Sequence, residues 1–171
     1  ELFRFDGYEY KRYYSLFSEW NKSANWSFNT MLVDSDGKLY VATNDGLYVY
    51  SKETDSFELL IDEIITSITT DAKNNLWVRA KSNWGIYDKK DKNITFPLFE
   101  GKKLNIIRHL LPSNGQELYM ISNYGKIFRY DYNKKEIIQN NSQKSELENI
   151  GFLTDAKLDR GKLWMVVGQT T

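Results

Sequence analysis

Apolar and polar positions along the chain follow a pattern that recurs four times. An apolar–aromatic–apolar triplet appears as Leu39-Tyr40-Val41, Leu76-Trp77-Val78, Leu118-Tyr119-Met120 and Leu163-Trp164-Met165. The triplets start 37, 42 and 45 residues apart, a period that holds about four short strands. Turn chemistry precedes each one, at Asp34-Ser35-Asp36-Gly37, Asp71-Ala72-Lys73-Asn74-Asn75, Pro112-Ser113-Asn114-Gly115 and Asp159-Arg160-Gly161. Gly and Asn tolerate the positive φ of tight hairpins, so each stretch is predicted to join two antiparallel strands. A second, glycine-bearing turn is predicted after the triplet, at Asn44-Asp45-Gly46, Asn83-Trp84-Gly85 and Asn123-Tyr124-Gly125. Third strands follow at Leu47–Tyr50, Ile86-Tyr87 and Ile127–Tyr130, and weaker fourth strands at Phe57–Leu60, Ile94–Phe96 and Ile137-Ile138.

The triplet strands are almost continuously apolar, as expected of strands covered on both faces. The fourth strands carry Lys, Asp and Glu, which suits an outer edge. Four-stranded antiparallel units that cannot bury two apolar faces alone stack radially, and the fold class predicted is all-β, a β-propeller. One partial propeller over 1–171, of about four blades, is expected: a half blade at 1–28, blades at about 29–66, 67–107 and 108–150, and a half blade at 151–171. Leu2–Asp6 matches a third strand, so the chain reads as entering mid-blade and ending mid-blade. Ser142 to Asn149, polar all round, reads as a connecting loop. The repeated aromatics Tyr40, Trp77, Tyr119 and Trp164 are expected in the core.

Composition narrows the function. Lys+Arg and Asp+Glu are both 23, a formal net charge of +0, so nothing steers the chain to phosphate backbones or anionic lipid. No apolar run approaches the roughly 20 residues of a membrane span. With no cysteine, disulfides, thiolate metal sites and cysteine nucleophiles are excluded.

The residues Asp34-x-x-Gly37-x-Leu39-Tyr40-Val41-Ala42-Thr43-x-x-Gly46-Leu47-Tyr48-x-Tyr50, followed by Phe57, resemble the two-component regulator propeller repeat. Asp71 to Asp88 repeats the pattern, and the later units are degenerate. The resemblance implies the periplasmic sensor region of a hybrid two-component histidine kinase, the extracytoplasmic part of an inner-membrane protein. There it implies ligand binding, with an oligosaccharide from a complex glycan as the expected ligand and no catalysis by the chain itself. It also implies further blades of the same parent chain, while an uncovered blade face would allow a homodimer. A protein-binding scaffold and a lyase or hydrolase propeller are the alternatives.

No residue set forms a recognisable catalytic constellation, and neither a metal site nor a cofactor is expected. His109, the only histidine, aligns with Thr30 and Ser67 at the start of a first strand and reads as structural or channel-lining. Asp34-Ser35-Asp36-Gly37 lacks the later acidic ligands of a calcium loop and reads as a turn. Loop aromatics beside amides suit stacking and hydrogen bonding to sugar. The candidate ligand-binding residues are therefore Trp20, Trp26, Trp84 and Tyr124 as platforms, with Asn83, Asn123 and His109 as polar partners.

Overall fold

The computed structural model describes residues 2–13, 27–103, 105–113, 117–139 and 152–168, and every regular element among them is a β-strand. Two compact units divide the chain, Glu1–Ile68 and Thr69–Thr171. In the first, β1 (Phe3–Phe5) pairs antiparallel with β2 (Tyr10–Arg12). β3 (Phe28–Val33), β4 (Leu39–Thr43), β5 (Leu47–Ser51) and β6 (Ser56–Ile61) form an antiparallel sheet in chain order. Asp55, in the turn before β6, accepts hydrogen bonds from Tyr13 Oη at 2.8 Å and Tyr50 Oη at 2.5 Å. It also pairs with Arg4 and Lys11, which ties the β1–β2 hairpin to the sheet.

β7 (Ile65–Thr70) runs across the boundary at Ile68 and is the first strand of the order β10-β9-β8-β7. β8 (Leu76–Ala80), β9 (Asn83–Asp88) and β10 (Asn93–Thr95) belong to the second unit. So do β11 (Leu98–Phe99), β12 (Lys102–Lys103), β13 (Ile107–Pro112), β14 (Leu118–Ser122), β15 (Ile127–Asp131) and β16 (Glu136–Gln139). The last hairpin is β17 (Phe152–Asp159) with β18 (Lys162–Gly168). In the β13–β16 sheet the fourth strand is not the edge. The preceding connection lays β11 parallel to β16 through Leu98 and Glu136, with β12 outside it, so open backbone groups of β16 are partly capped. Ser142 to Asn149 lies outside the described residues.

The triplets open β4, β8, β14 and, one residue in, β18, the second strands of their sheets. The turns before them are built around one side chain. Asp34 Oδ1 accepts the Asp36 and Lys38 amides at 3.0 and 2.9 Å, and its Oδ2 takes the Tyr40 hydroxyl at 3.2 Å. Asp71 repeats this with the Lys73 and Asn75 amides and with Trp77 Nε1, all at 2.9 Å. These are closed hairpin turns, and among the described residues no cluster of acids and histidines has metal-binding geometry.

The second turn departs from the sequence reading in one blade unit. Thr43 Oγ1 and Ser122 Oγ each accept two amides of the following loop, Asp45 and Gly46 in one case and Tyr124 and Lys126 in the other. Ala80 holds the same place in β8 and has no hydroxyl to staple such a loop. The connection there shortens to Lys81-Ser82, both at positive φ (49° and 65°), as a two-residue hairpin turn requires. Asn83 and Trp84 are therefore residues of β9, not of a turn. Register then makes Trp84, opposite Arg79, the equivalent of Leu47 opposite Ala42 and Ile127 opposite Ile121.

Burial follows the triplets in the first two sheets, where Tyr40 is 2% exposed and Trp77 0%. Trp77 and Trp84 join Ile107, Leu110, Met120, Phe128 and Tyr130 in one core of the second unit. The Trp77 and Tyr130 rings meet edge-on at 5.0 Å, and Tyr132 Oη donates to Asp71 Oδ2 at 2.9 Å. Trp164 departs from the core expectation at 63% exposed, because no sheet covers that face of β17–β18 among the described residues. Tyr119 is only partly buried, its hydroxyl on Glu117 Oε2 at 2.5 Å.

Candidate functional site

Antiparallel pairing places the start of each first strand and the turn between second and third strands at the same end of a sheet. In the second unit that end gathers the starts of β13 and β17, the Lys81-Ser82 turn and the Ser122–Lys126 loop. Asn123 ties it together, since its amide donates to the Ile106 carbonyl at 2.9 Å and its carbonyl accepts the Leu153 amide at 2.8 Å. β13 and β17 pack side by side.

A bulge recurs in the first strands, between Phe28 and Thr30, Ile107 and His109, and Leu153 and Asp155. Each bulge inserts one residue, Asn29, Arg108 or Thr154, and re-aims the next, Thr30, His109 or Asp155. Asn29 is used structurally, donating to the Ile65 carbonyl at 2.8 Å and Asn44 Oδ1 at 3.0 Å. Arg108 occupies the same place with a charge. Its guanidinium lies 5.4 Å from the Phe152 ring centroid, and among the described residues it has no carboxylate partner.

Four side chains at this end hold buried polar atoms with no hydrogen-bond partner: Asn83 Oδ1, Trp84 Nε1, His109 Nε2 and Asn123 Oδ1. Native interiors leave few such atoms, so four at one end of one unit are a departure in need of a reason. Burial lowers the His109 pKa below its ordinary 6.5; Asp155 opposes the shift, and Arg108 and Arg79 reinforce it. Arg79 is lowered too, by burial and then by Arg108. Arg79 also breaks the repeat, since Ala42 and Ile121 occupy its register position and both are fully buried.

The residues named from sequence are thus partly brought together. Asn83, Trp84, His109 and Asn123 share the rim, and Tyr124 projects from its loop at 57% exposed. Trp84 is 5% exposed and within the core, so its ring is no open platform and only Nε1 is offered; the expected loop position is corrected by the shorter turn. Trp20 and Trp26 lie outside the described residues. Sequence reasoning missed Arg79, Arg108 and Asp155. The two-residue turn Arg160-Gly161 puts Asp155 eight positions before its triplet where His109 stands nine, which hides the alignment.

No family profile matches the chain, and no curated protein does. Solved structures match in fold. The extracellular domain of a proposed one-component system of B. thetaiotaomicron superposes with a TM-score of 0.65 at 16% identity, over 94% of this chain and 26% of that one. That of a proposed hybrid two-component system of the same organism gives 0.52 at 18%, over 80% and 18%. The β-propeller domain of Cps50 (Swd1) from Myceliophteria thermophila gives 0.51 at 12%, over 84% and 55%. The fold is a β-propeller's. This chain spans about a quarter of the first structure's length, and identities this low carry the architecture alone. In propeller terms β13 and β17 are the innermost strands of neighbouring blades. The bulge residues then stand at one end of those innermost strands.

Proposed function

We propose that this chain is part of the extracytoplasmic, ligand-sensing propeller of a two-component-type sensor, and that it binds an oligosaccharide without turning it over. The observation that carries the reading is the rim itself, with buried donors and acceptors from two blades left without partners at one end of the unit. Sugar recognition uses such groups: amide oxygens take hydroxyl protons, an indole N–H donates, and an exposed ring such as Tyr124 supplies a stacking face. The two B. thetaiotaomicron extracellular domains support the sensor setting. The site residues in this reading are Asn83, Trp84 through Nε1, His109, Asn123 and Tyr124, all of the second unit. The exposed Trp164 and Val166 of β18 mark the face on which further blades of a parent chain, or a second copy, would pack.

The test is calorimetric titration of the protein with a panel of oligosaccharides, repeated with Asn123→Ala and Tyr124→Ala. Binding without product formation, weakened roughly tenfold or more in at least one variant, supports the proposal. Turnover of any panel member, or binding unchanged in both variants, overturns it.

A further inference from the structure

The rim is not a neutral sugar pocket in its charges. Arg108 stands on the bulge of β13 with no carboxylate partner among the described residues, and Arg79 rises from a register position that is fully buried and apolar in two other blades. Asp155, on the bulge of β17, is the acidic group whose charge His109 senses. A guanidinium where the repeat calls for Ala or Ile sets this blade apart from its siblings and adds positive charge beside Arg108. Beside it the Trp84 indole, nine-tenths buried, holds its N–H without an acceptor. Two guanidiniums, a neutral imidazole and an indole N–H form a donor-rich set, and the fork of an arginine matches a planar carboxylate or a sulfate ester.

We infer that the sugar recognised at this rim carries an anionic substituent, a carboxylate or sulfate, seated against Arg108 and Arg79 with Trp84 Nε1–H donating to it. Asn83 Oδ1 and Asn123 Oδ1 then take the hydroxyl protons of the same ring, and Asp155 limits the site to one anionic group. The inference rests on the rim being the ligand site, and its experiment separates the two.

The probes are methyl glucuronide and methyl glucoside, which differ by one carboxylate. Each is titrated at constant ionic strength while the Trp84 indole N–H and His109 ring resonances are followed by NMR, in the parent protein, Arg108→Gln and Arg108→Lys. The expected result is a glucuronide that binds about tenfold more tightly than the glucoside, an advantage lost in Arg108→Gln and partly kept in Arg108→Lys. Since Arg108 is exposed on a bulge, these variants leave the fold intact, which the unchanged amide spectrum verifies. Equal shifts by both probes at the rim would overturn the anionic inference and leave the ligand site standing. No rim shift with either probe would overturn both.

Discussion

Replacing Asp71 with Asn should be among the most destabilising single changes of a polar residue in this chain. Asp71 is 6% exposed and accepts five hydrogen bonds, from the Lys73 and Asn75 amides on Oδ1 and from Asn75 Nδ2, Trp77 Nε1 and Tyr132 Oη on Oδ2, all at 2.9 Å. Burial works to raise its pKa, and the donated bonds overcome this and hold it below the usual carboxylate value. An amide keeps the shape but presents an NH2 to donors, whichever way it is turned. Hydrogen bonds to a charged acceptor contribute about 1.5–3 kcal/mol each, and the fully buried Trp77 N–H would be stranded, so about 3–5 kcal/mol is expected after allowing for non-additivity. Tyr132→Phe removes only the bond from the neighbouring blade and should cost about 1 kcal/mol. Urea unfolding followed by tryptophan fluorescence, run as a double-mutant cycle, measures both and their coupling. A cost below about 1 kcal/mol for Asp71→Asn, or no coupling to Tyr132→Phe, would refute the claim that one carboxylate braces turn, core and blade contact together.

The sole histidine gives a pH signature. The His109 pKa is lowered in the folded state, so its contribution to stability is present above pH 6.5 and is lost as pH falls through the folded value, because the unfolded chain takes up the proton first. Unfolding midpoints should drop between pH 7.5 and 5.5, and His109→Gln should flatten that slope; an unchanged slope would show that another group titrates there. Gly46→Ala should destabilise by about 1–3 kcal/mol, since its Cβ would stand 2.5 Å from the Ile61 carbonyl oxygen, backbone that cannot step aside. A thermal midpoint equal to the parent's would contradict that packing.

What could be read from sequence and what could not divide along a physical line. The triplets, the Asp-led turns before β4 and β8 and the exposed fourth strands β6 and β10 were legible because each follows a local rule: an apolar run in a strand covered on both faces, side-chain capping of a hairpin, charge at an edge. Leu39 and Leu76 duly occupy like positions at the head of β4 and β8. The errors come where a blade trades one local solution for another. Ala80 cannot staple the longer loop that Thr43 and Ser122 hold, so the turn contracts, and Gly85 only appears to align with Gly46. Trp84 thereby moves from a rim loop to a core position, where register alone assigns it. Bulges are equally silent in sequence, because one inserted residue leaves composition unchanged while it re-aims the next side chain. Repeat spacing aligns His109 with Thr30 and Ser67, whereas Asp155 stands one position out of step with them. Arg79 is the instructive miss. Within the strand it is one charged residue in an otherwise apolar run, and it becomes anomalous only when the register shows Ala42 and Ile121 fully buried in its place. A repeat protein supplies its own controls, so a departure of this kind comes into view only when the blades are compared position by position in their observed register.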